Sequence, residues 1–418
     1  MKSKMLLSAI LFTACLVHTY CFTMNNTVKD DLPVGSSFGR NLVYKHASLP
    51  LIIVRDFSWG NKEETMKQLK GRSFKFPLCI GVSSDTSDSY IVELFQLLKQ
   101  HSDCRVSRVC AQNTWIREKT LSYIAQVCPN IEELILNNNC RYDNFEQVKW
   151  ENFNNLKEIK LEKTYVSAKA INKIATSCPN IETMDLSKCD NISWYDVAWE
   201  KFRNLRKIIL SFTKINTEAL NYIALCCPKV EIISLVGCKN ISYDDVTWEN
   251  FNKLKKIDLL YSNIRVEALN SISNNCPIEE IKLGNCKNVD WNKVQWSKFT
   301  KLKKVNLYWN NMDTKAFNHF ARDSKIENIT SLGQVGKCNN INWRKVSWKD
   351  FKKLKKINLS STDITPDSLH EIARCCPKIK IITARCCDKI NTRFAKKLAK
   401  ICVFRISKEK SISFNFDF

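Results

Sequence analysis

A tandem period of about 49 residues runs through most of this chain and constrains its fold more than any other feature. Cys-Pro pairs stand at Cys128, Cys178, Cys227, Cys276 and Cys376, at intervals of 50, 49, 49 and 100; the last spans a degenerate copy near Ser324. A tryptophan followed three residues later by phenylalanine keeps the same beat, at Trp150 and Phe153, Trp199 and Phe202, Trp248 and Phe251, Trp296 and Phe299, and Trp348 and Phe351. Copies in register over this length mark a solenoid, propeller or tandem array. Such a chain grows by stacking, so its 418 residues need no division into two or three globular domains.

Each period divides into two halves with one apolar pattern. The first half reads Val230, Ile233, Leu235, Cys238, Ile241, and the second Leu254, Ile257, Leu259, Ser262, Ile264. Both fit the scheme L-x-x-L-x-L-x-x-(N/C), in which a short strand lines a concave side and a helix covers the convex side. Cys-type units begin at Ile131, Ile181, Val230, Ile278, Ile326 and Ile379. Lys-type units begin at Leu156, Leu205, Leu254, Leu302 and Leu354, with a weaker one over Val106, Val109, Ala111 and Ile116. The fold class is therefore an α/β leucine-rich-repeat solenoid, a horseshoe of about twelve alternating units over residues 104–400. At roughly 4.8 Å between strands its inner ladder is on the order of 60 Å long. Proline cannot continue a helix, so each Cys-Pro marks where a convex helix, such as the one expected over Ala219–Leu225, has ended.

The ends read differently. Lys2 and Lys4 precede an uncharged run, Met5 to Val17, of signal-peptide length and too short to span a bilayer. Residues 1–21 are read as a secretory signal cleaved after Cys21, with no membrane anchor in the mature chain. Residues 22–103 are expected to cap the solenoid, with a strand at Leu51–Val54 and a helix around Tyr90–Phe95. Residues 401–418 form a tail whose alternation from Ile412 to Phe418 suits an edge strand.

Units such as Cys227-Pro228-x-Val230-x-x-Ile233-x-Leu235-x-x-Cys238-x-x-Ile241 resemble the cysteine-containing leucine-rich repeats of F-box substrate receptors over some 300 residues. The resemblance implies a solenoid that recognises a protein, often as the substrate arm of a ubiquitin ligase reached through a Skp-type adaptor. No convincing F-box precedes the repeats. A signal followed by such repeats in a Lys/Asn-rich chain is similar to the secreted salivary-gland effectors of gall midges, which implies delivery into a host cytosol. The residues leave two alternatives open: an extracellular recognition or matrix protein, and an intracellular adaptor whose apparent signal is no signal.

Twenty cysteines suggest a disulfide framework, but their placement opposes one. Cys189, Cys238, Cys286, Cys338 and Cys387 fill the Asn/Cys slot of the repeat, where Lys-type units carry Thr164, Thr213, Ser262, Asn310 and Thr362. Equivalent cysteines recur every second strand, roughly 10 Å apart, beyond the ~7 Å Cα limit of a disulfide. Buried free thiols are expected. No Cys-x-x-Cys or interleaved histidine suggests a metal, and no cofactor is expected. His18, His46, His101, His319 and His370 form no constellation, and no phosphate loop or nucleophile elbow is present. The chain is read as a non-enzyme.

Its net charge of +23 attracts acidic partners without choosing among them. The second residues of the basic pairs place Lys207, Lys256, Lys304 and Lys356 on the concave face as an electrostatic guide, diluted by Glu158, Asp185, Asp258 and Glu280. Nucleic acid is an unfavoured partner. Phe212, Leu260, Tyr261, Tyr308 and Trp309 occupy strand-flanking positions expected to be exposed on the concave side, with Ile209, Ile232 and Val236 between them. Clustered exposed aromatics mark a binding site, so the partner-binding set is Phe212, Leu260, Tyr261, Tyr308, Trp309, Lys207, Lys256 and Lys304. Sequons at Asn25, Asn191, Asn240, Asn328 and Asn358 admit glycosylation during export.

Overall fold

The computed structural model describes residues 43–46, 49–54, 78–82, 88–100, 413–415 and 106–390 without 115, 139–143, 334–339 and 388. The signal region 1–21 and most of the tail lie outside the described residues.

Twelve short strands, one for each unit, form the repeat array. They are β4 (Val106–Cys110), β5 (Glu133–Ile135), β6 (Glu158–Lys160), β7 (Thr183–Asp185), β8 (Lys207–Ile209), β9 (Ile232–Ser234), β10 (Lys256–Asp258), β11 (Glu280–Lys282), β12 (Lys304–Asn306), β13 (Asn328–Ile329), β14 (Lys356–Asn358) and β15 (Ile381–Thr383). Each pairs in parallel with the next, in chain order and without crossover. The central strand residues, such as Ile208, Ile233, Ile257 and Val305, are buried, and their neighbours face the concave side. Before the array come β1 (Val43–His46), β2 (Leu49–Val54) and β3 (Leu78–Val82). Strands β2 and β3 continue the parallel sheet, whereas β1 turns back antiparallel on β2. At the far end β16 (Ser413–Asn415) joins β15 in parallel. The described part of residues 22–103 is thus three strands and the helix α1 (Asp88–Gln100), with no three-helix F-box among the described residues.

The convex layer corrects one expectation. Among the described residues of the array, full α-helices follow only the Lys-type strands: α2 (Glu118–Val127), α3 (Ala168–Ser177), α4 (Thr217–Cys226), α5 (Val266–Asn275), α6 (Thr314–Asp323) and α7 (Pro366–Cys375). Cys-type units carry two single-turn 3-10 helices instead, as at Tyr243–Asp245 and Trp248–Asn250. The Trp-x-x-Phe pair opens the second of these, and both its rings are buried. Spacing of three suits either helix type, because side chains at i and i+3 eclipse in a 3-10 turn.

Thick and thin backs interlock. Phe320 on α6 packs edge-on against Trp296 at 4.7 Å on one side and meets Phe351 at 5.9 Å on the other. Burying a phenylalanine contributes roughly 1.5–3 kcal/mol. In four helices, α3 to α6, an asparagine clamps the next thin unit: Asn221 Oδ1 accepts from Thr247 N (2.9 Å) and its Nδ2 donates to Asp245 O (3.1 Å). Asn172, Asn270 and Asn318 repeat the clamp. Helix starts are capped by Ser167, Asn216, Asp313 and Thr365. Where α5 begins with Arg265 instead, Asp244 of the preceding thin unit accepts from Ala268 N (3.1 Å) and pairs with Arg265. Among the described residues no helix is long and apolar enough to cross a membrane.

Candidate functional site

The thirteen cysteines whose side chains are described are free, and most are buried. Cys128, Cys178, Cys227, Cys276 and Cys376 cap the carboxyl ends of their helices. The last four donate Sγ–H to the carbonyls of Trp150, Trp199, Trp248 and Trp348, at 3.3–3.6 Å. Burial pushes each of these four thiols up to about 12. In the repeat slot Cys189 and Cys238 donate to Leu161 O and Leu210 O at 3.0 Å, carbonyls that also accept from Thr164 and Thr213. These thiols close turns, and a thiol held protonated is a poor nucleophile. Among the described residues no cluster of three ligating side chains suits a metal.

The concave lysines do not form an unopposed basic row. Lys256 and Lys304 both reach Glu280, at 3.7 and 2.7 Å, and Lys282 reaches Asp258 at 2.8 Å. Opposite charges on adjacent parallel strands lie close enough to pair, so this stretch is nearly neutral. Lys207 and Lys356 form no ion pair among the described residues, which leaves two separated positive points rather than a guide rail. Between the charged clusters Ile209 and Ile232 are half-buried, Val236 is covered, and Ser211 and Ser234 share a hydrogen bond (2.9 Å).

The aromatic residues lie at the rim rather than on the strands. Phe212, Tyr261 and Trp309 each stand three residues past a strand end, in the turn, with φ of 57°, 59° and 56°. The slot is left-handed in every unit where its φ is positive, including Asn113, Asn138, Gly237 and Asn285, because its N–H points to the next unit. Phe212 N donates to Val236 O (2.7 Å), Gly237 N to Leu260 O (2.9 Å), and Tyr261 N to Gly284 O (2.9 Å). Glycine and asparagine adopt this conformation cheaply, whereas a bulky side chain costs on the order of 1–2 kcal/mol. Lys163, Lys188, Ser361 and Cys386 share the slot, so the fold itself does not demand aromatic rings there.

Phe212 is 49% exposed and Tyr261 41%, while Leu260, Tyr308 and Trp309 are half-buried. The floor beneath them is glycine. A Cβ on Gly237 would stand 2.6 Å from the Phe212 ring, and one on Gly284 would stand 2.6 Å from Leu260 Cδ2. Tyr308 and Trp309 meet edge-on with centroids 5.9 Å apart, and Lys287 Nζ sits 5.9 Å from the Trp309 ring. The structure thus gathers Phe212, Leu260, Tyr261, Tyr308 and Trp309 along one rim, with Lys207, Lys256 and Lys304 set apart on the strands. Sequence reasoning missed Lys287; its place in the turn slot two residues past Asn285 was the available signal.

A family model for the leucine-rich-repeat domain of At1g61320/AtMIF1 matches residues 124–333, just over half of the chain. The comparison with curated proteins found no match. Among solved structures, a chain of the TLR13–ssRNA13 complex is similar at a TM-score of 0.52 and 16% identity, covering 78% of this chain and 44% of that one. A chain of the Rad7–Elc1 complex in yeast gives 0.49 at 13% identity, covering 86% and 88%. The internalin InlF of Listeria monocytogenes str. 4b F2365 gives 0.48 at 11% identity, covering 84% and 88%. The first of these similarities concerns the fold alone.

Proposed function

This chain belongs to the leucine-rich-repeat domain family of At1g61320/AtMIF1, and on that footing we propose that it is a non-catalytic recognition solenoid. Its partner is a protein held along the rim where strands β8 to β12 end. One observation carries the reading: three alternate units place a large aromatic ring in a left-handed turn slot that favours glycine or asparagine. Backbone strain retained beside exposed apolar surface is the signature of a site kept for contact.

Two features support a finer reading. The leader read from Lys2 to Val17 supports export, and the buried, protonated thiols suit a reducing destination. The chain is then a secreted effector that acts in another cell's cytosol as a substrate receptor of the F-box type, with a Skp-type adaptor engaged by residues 22–103. Exposure of the sequons at Asn191 and Asn240 favours a second reading, an extracellular recognition protein that stays outside and carries sugar.

The test is a pull-down with the chain and with Tyr261→Ala/Trp309→Ala, analysed by mass spectrometry. A protein retained by the first and lost from the second supports the rim, and an adaptor retained by both supports the ligase reading. Partners retained equally by both forms overturn the rim as the site. Recovery of extracellular proteins alone, with glycan mass on Asn191 or Asn240, favours the second reading.

A further inference from the structure

We infer that the rim of strands β8 to β12 is a docking strip for an acidic protein segment that carries apolar side chains about 10 Å apart. The inference rests on the reading above that the rim holds a protein, and it names the chemistry of what is held.

Five successive turns make the strip: residues 211–214, 236–240, 260–263, 284–288 and 308–311. None of them contains an aspartate or a glutamate. Two parallel rows run along it. The left-handed slot gives Phe212, Gly237, Tyr261, Asn285 and Trp309, so a ring stands on every second strand. Two residues later the chain places Lys214, Lys239, Asn263, Lys287 and Asn311. Lys214, Lys239 and Lys287 are exposed, and none is in an ion pair among the described residues. In that same position the unit of β7 carries Asp190 and the unit of β14 carries Asp363. Among the described residues, lysine therefore stands in this second row only along the aromatic stretch, while Lys188 in the preceding turn is paired with Glu162. Elsewhere the lysines of β10, β11 and β12 are neutralised by Asp258 and Glu280.

Charge complementarity selects an acidic partner. Spacing selects its pattern. Rings on alternate strands lie roughly 9.6 Å apart, close to seven residues of an α-helix at ~1.5 Å each or three of a polyproline helix at ~3.1 Å. A β-strand returns to one face only every ~6.7 Å and does not match. Leu260, with glycine floors at Gly237 and Gly284, offers aliphatic contact and close backbone approach between the rings. Single-stranded nucleic acid, the other anionic polymer that stacks on aromatic rings, is less well served. Three lysines are few for its phosphates, and the carboxylates of Asp258 and Glu280 stand on the adjoining strands.

The experiment is fluorescence anisotropy on the full chain with three labelled probes: a random copolymer of glutamate and tyrosine, polyglutamate, and polyuridylate. The copolymer is expected to bind most tightly, and Tyr261→Asn/Trp309→Asn to weaken it about tenfold or more while the melting temperature holds or rises. Asparagine suits the left-handed slot, so loss of binding cannot be loss of fold. Lys214→Gln/Lys239→Gln/Lys287→Gln is expected to weaken binding several-fold and to flatten its salt dependence. Equal binding of copolymer and polyglutamate, or indifference to both variants, overturns the inference. So does tighter binding of polyuridylate that is lost in the same variants. A captured protein partner that depends on Tyr261 and Trp309, beside a copolymer that does not bind, sinks the acidic chemistry and leaves the rim reading standing.

Discussion

Residue by residue, the repeat uses cysteine as a buried hydrogen-bond donor, and this makes alkali its weakness. The thiols of Cys178, Cys227, Cys276 and Cys376 are pushed by burial from 9.0 to about 12. Below pH 9 folded and unfolded chains hold the same thiol protons and the stability is level. Between roughly pH 9 and pH 12 the unfolded chain sheds protons that the native chain keeps, so each thiol removes about 1.4 kcal/mol of stability per pH unit. Urea midpoints measured across that window are expected to fall steeply. Cys227→Ala, which loses the bond to Trp199 O, is expected to be less stable below pH 9 yet shallower above it; an unchanged slope would refute the burial argument. The thiols were readable from sequence because the spacing forbade disulfides and the repeat slots demanded small, buried groups. The left-handed turn was not. Asn113, Asn138, Gly237 and Asn285 hinted at it, but Phe212, Tyr261 and Trp309 hid it, since bulky residues do not advertise positive φ.

Among elements, the thin backs hold a matched pair for comparison. Trp199 and Trp248 are both fully buried at the same repeat position. Trp248 Nε1 donates to Tyr243 O at 3.1 Å, as Trp150 Nε1 does to Phe145 O at 2.8 Å. Where the earlier aromatic is a tryptophan, as Trp194 stacks on Trp199 at 6.4 Å, the buried indole N–H finds no partner among the described residues. Trp248→Phe loses packing and strands a buried carbonyl, whereas Trp199→Phe loses packing but removes an unsatisfied donor. Calorimetric unfolding is expected to show Trp248→Phe as the costlier change by about 1–2 kcal/mol. Equal costs would mean that the Trp199 donor is satisfied in solution. The twelve strands were legible because their apolar slots recur without gaps. The thin backs were not, because aromatic spacing of five and three in a stretch such as Tyr243 to Phe251 fits a helix as well as paired 3-10 turns. The asparagine clamp at Asn172, Asn221, Asn270 and Asn318 passed unnoticed for a related reason, since Asn is common throughout this chain.

Across the whole array, stability is a sum over neighbours rather than a property of one core. Each of the helices α3 to α6 rests against thin units on both flanks, so the stacking unit there is a pair of repeats. Excising residues 205–253, which rejoins Asn204 to Leu254 and removes one Lys-type and one Cys-type unit, keeps thick against thin at the junction. Excising 230–253 alone sets α4 directly beside α5. The first deletion is expected to give a shorter protein that melts in one cooperative transition, and the second to lose cooperativity and aggregate; similar melting of both would refute the pairing. The aromatic rim obeys the same rule, for Phe212, Tyr261 and Trp309 all fall on the Lys-type member of their pairs. Chains of this kind are therefore subject to parity: they lengthen or shorten by even steps, and a step taken between β8 and β12 adds or deletes one whole ring of the rim.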